Sequence, residues 1–141
     1  MSLKVELKPG ERLIVGNCLI TNSDTRTRLF IEGKVPILRE KDILSPATAT
    51  SPARRIYLAV QLMYLEGNLE TLRGDYFALV TDMVRAAPST TGIIDSINNE
   101  ILTGSLYKAL KAAKKLIQHE DAILNAAAGG AGLSAGGEAD G

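Results

Sequence analysis

The spacing of the apolar residues changes between residues 36 and 65, and this change restricts the chain to a mixed fold. Before it, apolar residues form short runs separated by turn residues, and after it they recur at helical spacing. Ser51-Pro52 is typical of a helix start, with Ser as the N-cap and Pro at the first helical position. From Ile56 to Leu65 the only polar residue is Gln61. A helix so apolar on every side is a buried one, so we expect it to form the centre of the core.

The first part of the chain has the pattern of five short strands. Leu3, Val5 and Leu7 alternate with polar residues, and Pro9-Gly10 is typical of a turn. Pro36 lacks an amide donor, which places the fifth strand at an edge or a bulge. The predicted strands cover residues 3–8, 12–15, 18–21, 26–31 and 35–38. Strands this short form a small antiparallel sheet or barrel that must bury one face against another element.

The second part of the chain predicts four helices. Gly67 ends the first helix and Asn68 caps the second. Pro88 ends the second helix, and Ser89 caps the third. Gly104-Ser105 then separates the third helix from a fourth at residues 106–125. We therefore predict an α+β fold with a β unit at 1–44 and a helical unit at 45–126 packed on it. Residues 127–141 are mostly Gly and Ala, and we expect a disordered tail there.

Composition and hydropathy exclude several classes of protein. No run approaches the eighteen apolar residues of a transmembrane helix, and the N-terminus lacks the apolar core of a signal peptide. The single Cys18 excludes an internal disulfide and is typical of a reducing compartment. We expect a cytoplasmic protein without a membrane partner, in which Cys18 is a buried strand residue.

The chain carries no net charge, but its charges are unevenly distributed. Residues 1–55 hold ten cationic and six acidic side chains, an excess of +4, and the remaining 86 residues hold six and ten. A basic first part is compatible with a polyanionic partner, but on charge alone scattered solvated charges on strands and turns are the simpler explanation.

The residues that enzymes and metal sites need are scarce. His119, next to Glu120 and Asp121 in the fourth helix, is the only histidine, and Cys18 is the only other soft ligand. No glycine-rich phosphate loop precedes a helix. We therefore predict a protein that is not an enzyme, with no catalytic residues, no metal site and no cofactor.

Binding residues are easier to nominate than catalytic ones. Lys4, Lys8, Arg39 and Lys41 lie on or beside strands, where they could follow a phosphate backbone. Tyr57 could stack on a base, although on so apolar a helix a core position with a hydroxyl at the surface is the simpler interpretation.

Two further sets of cations lie on the predicted helices. Arg54 and Arg55 occupy a first helical turn, where the helix dipole disfavours cations, so we expect them to have an anionic partner. That partner is either an acid elsewhere in the fold or phosphate. Lys108, Lys111 and Lys115 share one face of the fourth helix, which suits RNA, a partner protein or solvent.

Several segments together resemble the FlbT family of flagellin biosynthesis repressors. They are the opening residues 3–11, the segments Pro36 to Ile43 and Ser51 to Tyr57, Met63-Tyr64-Leu65, and Tyr107 to Asp121 in part. The resemblance covers residues 3 to about 124. It implies a post-transcriptional regulator that associates with the 5′ untranslated region of flagellin mRNA and works alongside a second small flagellar protein, FlaF.

The β unit is also similar to the carbon storage regulator family of RNA-binding proteins. Residues 3–16 follow that family's first two strands, and residues 35–43 resemble its last strand and basic motif. The similarity implies RNA contacts by Lys4, Val5, Lys8 and Arg39, and a homo-oligomer. Leu7 stands where that family has its first basic residue, so the geometry of RNA binding is expected to differ.

These observations predict a regulator that binds the flagellin mRNA leader and represses its translation or stability. The predicted RNA ligands are Arg39, Lys41, Lys8, Lys4, Arg54 and Arg55, and the predicted partner-binding residues are Lys108, Lys111 and Lys115. The alternative is an adaptor or chaperone-like protein whose helical part binds flagellin or a FlaF-type protein, with indirect effects on mRNA.

Overall fold

Five short strands precede four α-helices, which confirms the predicted α+β class. The computed structural model describes residues 2–132, with side chains described through residue 128. The strands are β1 (Ser2–Leu7), β2 (Arg12–Val15), β3 (Cys18–Thr21), β4 (Thr27–Glu32) and β5 (Ile37–Arg39). The helices are α1 (Pro52–Glu66), α2 (Leu69–Ala86), α3 (Thr91–Leu102) and α4 (Leu106–Gly132), with short 3-10 turns at Glu40–Asp42 and Pro88–Thr90.

The β unit consists of two small antiparallel sheets. β1 pairs with β4, and β2 lies between β3 and β5. Alternation along the strands brings Val5, Leu7 and Leu13 into one buried cluster, against which Leu29 and Ile37 also pack. This inner layer accounts for the second half of the period-two pattern of the first strand, because Val5 and Leu7 face the cluster, whereas Leu3 is 47% exposed.

Both edges of the three-stranded sheet are informative. β5 is an edge strand that begins directly after Pro36, as the missing amide donor of that residue predicts. β3 is the other edge, and all four of its residues are exposed. The prediction that Cys18 is buried was therefore wrong: its thiol is exposed because β3 has a neighbour on one side only.

Helix α1 is the centre of the main core, as its apolar sequence predicts. The hydroxyl of Ser51 accepts a hydrogen bond from the amide of Arg54 (3.2 Å), and Gly67 ends the helix in the left-handed conformation with φ = 73°. Side chains from α1, α2, α3 and α4 form one buried cluster, and Leu38 of β5 joins it. The fully buried members include Ile56, Val60, Met63, Tyr76, Ile97 and Leu116.

Two predicted helix ends differ from the structure. Ser89 does not cap α3; it lies in the 3-10 turn before Thr91, and its hydroxyl is 3.0 Å from Nε2 of His119 instead. Helix α4 continues to Gly132 rather than ending near Asn125; the high helix propensity of alanine favours the extension over residues 126–128. The remainder of the predicted disordered tail, residues 133–141, lies outside the described residues.

Three polar side chains of α1 join the helices to the β unit. The Tyr57 hydroxyl donates to the carbonyl of Asp42 (2.6 Å). The Tyr64 hydroxyl accepts from the amide of Ile37 (3.0 Å) and donates to its carbonyl (3.1 Å). The Gln61 side-chain oxygen accepts from the amide of Leu44, and its side-chain nitrogen donates to the carbonyl of Leu44, each at 2.9 Å. These bonds satisfy backbone groups that no strand neighbour could reach, and they hold β5 and the turn after it against α1.

The buried tyrosines make stability sensitive to alkaline pH. Burial raises the pKa of both Tyr57 and Tyr76, so above the ordinary pKa the unfolded chain loses these protons before the folded chain does. We expect the free energy of unfolding to fall above about pH 10, by up to about 1.4 kcal/mol per pH unit for each tyrosine. Urea titrations across this range measure the slope. The Tyr57→Phe variant should show a shallower slope than the wild type; equal slopes would contradict the assignment.

Candidate nucleic-acid interface

An open groove with a volume of about 670 Å³ lies between the β unit and helices α1 and α4. Strands β1 and β5 and the loop before β5 form one wall, and α1 and α4 form the other. Leu3 and Ile37 contribute apolar surface from the strands, and Val35 contributes it from the loop before β5. We call this feature the basic groove because of the charged residues described next.

Five cationic side chains line the basic groove, and they come from four different elements. They are Lys4 of β1, Arg39 of β5, Lys41 of the following 3-10 turn, and Lys111 and Lys114 of α4. Within residues 2–132, Asp42 is the one carboxylate that lines it, and Lys114 donates to that carboxylate. The groove therefore carries a clear excess of positive charge, although the chain as a whole carries none.

Arg39 is held in place by the β unit. Its Nη2 donates to the carbonyl of Glu6 (3.1 Å) and lies 3.9 Å from Oε2 of Glu11. The side chain is still 44% exposed. Because a guanidinium has five N–H donors in a planar fork, these two contacts fix its position and leave donors for an anionic ligand.

Three tyrosines line the groove on the helical side, and they differ sharply in exposure. Tyr57 is 3% exposed, which confirms its core position and leaves no ring face for a base; its hydroxyl bonds within the fold, so the prediction that the hydroxyl lies at the surface was wrong. Tyr64 is half-buried, and Tyr107 is 48% exposed. The centroids of the Tyr64 and Tyr107 rings are 5.8 Å apart.

Tyr107 is the groove residue that the sequence interpretation missed. It lies one position outside the apolar stripe of α4, some fifty residues from Tyr57. The available signal was its spacing from Lys111, because residues four apart share a helix face. In the structure the Nζ atom of Lys111 lies 5.3 Å from the centroid of the Tyr107 ring.

The remaining predicted ligands lie outside the lining of the groove. Lys8 is exposed at the end of β1, Arg55 is exposed on α1, and Lys108 and Lys115 are exposed on α4. The structure thus brings three of the predicted RNA ligands together with one predicted partner-binding residue, Lys111, and leaves the others apart from them.

Arg54 has partners within the fold. Its guanidinium makes two hydrogen bonds to the Asp121 carboxylate (3.1 and 3.2 Å) and lies 3.5 Å from Glu120. These bonds, together with the nearby charges of both acids, raise the pKa of Arg54 against a smaller opposing effect of burial. Of the two partners expected for this cation, an acid elsewhere in the fold is the one that the structure contains.

The side chains considered for chemistry are dispersed. His119 contacts Ser89, Glu120 accepts from the amide of Ala53 (2.9 Å), and Cys18 lies on the exposed edge of β3. Over the part of the chain that the structure describes, no three His, Cys, Asp or Glu side chains are grouped in a way that would hold a metal ion. None of the helices described there has the length and apolar character needed to cross a membrane.

Comparison with known proteins identifies the family. The sequence model described as "Flagellar protein FlbT" matches residues 3–124. The chain belongs to the FlbT family. The match to FlbT contains every lining residue of the basic groove except Ser2.

FlbT relatives cover the chain at a wide range of identities. It is 60% identical over 124 residues to the probable flagellum biosynthesis repressor protein FlbT 1 of Bradyrhizobium diazoefficiens, which covers 87% of this chain and 85% of the relative. The corresponding protein of Rhodopseudomonas palustris is 47% identical over 125 residues, 89% of this chain and 99% of the relative. The flagellum biosynthesis repressor protein FlbT of Caulobacter vibrioides is 35% identical over 142 residues, 99% of each chain. No solved structure matches the sequence.

Proposed function

We propose that this chain is a post-transcriptional regulator of flagellum biosynthesis that binds the 5′ untranslated region of flagellin mRNA and represses its translation or stability. The names of its FlbT relatives, which describe them as flagellum biosynthesis repressors, support the regulatory part of the proposal. The observation that supports RNA binding is that one groove is lined by Lys4, Arg39, Lys41 and Lys111.

The electrostatics of the basic groove support a polyanionic ligand. Its cations come from both walls, so a strand lying along the groove would meet positive charge on each side. Arg39 supplies a fork of donors that matches two phosphate oxygens, and Lys41, exposed beside it, supplies a mobile ammonium. Three of its five cations come from the basic first part of the sequence and two from α4.

Repression in this proposal occurs by binding alone, in the cytoplasm, where the message is translated. A leader RNA bound in the groove is less accessible to the ribosome or is degraded faster by cellular ribonucleases. The protein itself cleaves no RNA, so labelled leader RNA incubated with pure protein should stay intact.

Replacing Arg39 and Lys41 with Ala together tests the proposal. We expect the affinity for flagellin leader RNA to fall about tenfold or more near 0.1 M salt, because two phosphate contacts are lost. The slope of log K against log salt should become shallower by about 0.7 to 0.9 for each lost contact. Gel shifts at several salt concentrations measure both quantities.

The matched control is the Arg73→Ala/Arg85→Ala variant. Both arginines are exposed on α2, outside the lining of the groove, and their removal changes the net charge by the same amount. This control should retain most of the affinity. If the two double variants lose affinity equally, or if neither changes the salt slope, the groove is not the site of RNA binding.

A protein–protein adaptor is the second candidate function. Phe77 of α2, Leu102 of α3 and Leu124 of α4 are 47%, 77% and 56% exposed, which leaves apolar surface on the helical part for a flagellar partner such as flagellin or a FlaF-type protein. In that case the partner, and not the leader RNA, is retained by purified protein at physiological salt. Binding of the partner by the Leu102→Ser variant should then be weaker than binding by the wild type.

We also propose a homo-oligomer. The edge strand β3 exposes Leu19 (58%) and Ile20 (37%) and carries no charged side chain that would discourage pairing with a second copy. Light scattering of the purified protein should give a mass above that of one chain, 15.0 kDa.

A further inference from the structure

Tyr107 has the surroundings of a stacking platform. Its ring is 48% exposed in the wall of the basic groove, and Tyr64 stands behind it at a centroid distance of 5.8 Å with the planes at 46°. Tyr64 is itself fixed by its two hydrogen bonds to the backbone of Ile37. A ligand that stacks on Tyr107 therefore meets a ring that is already positioned, which lowers the ordering cost of binding.

Lys111 provides the charge that such a ligand needs. In the free protein its ammonium lies 5.3 Å from the centroid of the Tyr107 ring, a weak contact for an exposed pair. The lysine side chain is flexible, so a phosphate can draw the ammonium away from the ring while a base takes its place on the ring face. Phosphate and base recognition are thus coupled at two residues one helical turn apart.

The remaining lining of the groove favours an extended strand over a duplex. The exposed apolar side chains of Leu3 (47%) and Val35 (44%) line the groove together with the cations, and this surface suits the faces of unstacked bases. In an A-form duplex the base faces are covered by their neighbours, and only phosphates and edges are presented. A cationic groove that contains an exposed aromatic ring is the usual architecture of single-strand binding sites.

We propose that the basic groove binds a single-stranded RNA segment and that Tyr107 stacks on one unpaired base of it. This inference rests on the proposed RNA-binding function and adds the form of the ligand and the residue that recognises it. An acidic peptide is the other ligand that a cationic, apolar groove admits. The exposed ring backed by a fixed tyrosine favours the base, since stacking is available to every nucleotide.

Two substitutions at Tyr107 separate stacking from electrostatics. Tyr107→Leu keeps apolar volume and removes the ring, and Tyr107→Phe keeps the ring. With an oligouridine about 12 nucleotides long as probe, we expect the Leu variant to bind about tenfold more weakly at an unchanged salt slope, and the Phe variant to bind within about twofold of wild type. Neither substitution should alter the weaker binding of an RNA duplex of the same length. Equal thermal unfolding of the two variants excludes a folding defect.

Intrinsic fluorescence gives an independent readout. The chain has four tyrosines and no tryptophan, and Tyr107 is the most exposed of the four. A base that stacks on Tyr107 should quench the tyrosine emission, and the Tyr107→Phe variant should bind the probe without that quenching. Quenching that persists in the Phe variant would contradict the assignment.

The variants also distinguish failure of this inference from failure of the proposed function. If Arg39→Ala/Lys41→Ala loses RNA binding while Tyr107→Leu binds normally, the groove binds RNA but Tyr107 does not stack, and this inference is overturned. If the wild type binds neither these two probes nor the flagellin leader RNA, the RNA function itself fails. Binding of polyglutamate, dependent on Tyr107, without binding of oligouridine or leader RNA would identify a peptide groove and overturn both.

Discussion

Replacing Leu116 with Ala is expected to lower the free energy of unfolding by about 3 kcal/mol. Leu116 is fully buried in the cluster that joins the four helices, and α4 packs against both α1 and α3. The substitution removes buried apolar atoms and leaves a cavity that rigid neighbouring helices can fill only in part. Urea unfolding, followed by far-ultraviolet circular dichroism, measures the change.

Leu124→Ala is the matched control for this prediction. It makes the same substitution in the same helix at a position that is 56% exposed, so a change within about 0.5 kcal/mol is expected. If both variants lose the same stability, the buried face of α4 has been placed wrongly, and the groove wall that α4 forms would be in doubt as well.

Replacing Glu120 with Ala is expected to lower the free energy of unfolding by about 2–4 kcal/mol. Glu120 is 6% exposed, accepts a hydrogen bond from the amide of Ala53 and lies 3.5 Å from Arg54. Its loss would leave a buried amide without an acceptor and remove a negative charge from the N-terminus of α1, where the helix dipole favours it.

Asp121→Ala is the comparison for Glu120→Ala. The Asp121 side chain is 45% exposed, so water can replace its hydrogen bonds to Arg54, and we expect a loss of about 1 kcal/mol or less. Thermal unfolding of the two variants side by side tests the difference. Equal losses of stability in the two variants would mean that the contact of Glu120 with the start of α1 contributes little to the free energy of unfolding.

Local sequence patterns predicted most of the fold because they act over a few residues. The alternation at Leu3, Val5 and Leu7 marked the first strand, and Ser51 and Gly67 marked the ends of α1 through capping and a left-handed terminus. The third helix shows where such signals fail. Ser89 had the composition of a cap, but Pro88 begins a 3-10 turn that delays the helix to Thr91.

The candidate site was predicted only in part because tertiary contacts assemble it. Arg39 and Lys41 were identified from their place beside a strand, whereas Lys111 was assigned to a separate surface of α4. Nothing in the spacing of the chain shows that Tyr64 will bond to Ile37, or that this will bring Tyr107 opposite β5. The exposure of Cys18 was missed for a related reason, since strand order and not strand pattern decides which strand is the edge.

Crosslinking of protein to RNA in living cells, followed by sequencing of the bound RNA, tests the central claim most directly. The proposed function predicts that reads from wild-type protein concentrate on the 5′ untranslated region of flagellin mRNA, and that the Arg39→Ala/Lys41→Ala variant loses this enrichment while Arg73→Ala/Arg85→Ala keeps it. Reads spread evenly over the transcriptome, or an enrichment that the groove variant retains, would contradict the assignment of the basic groove as the site that binds the flagellin leader.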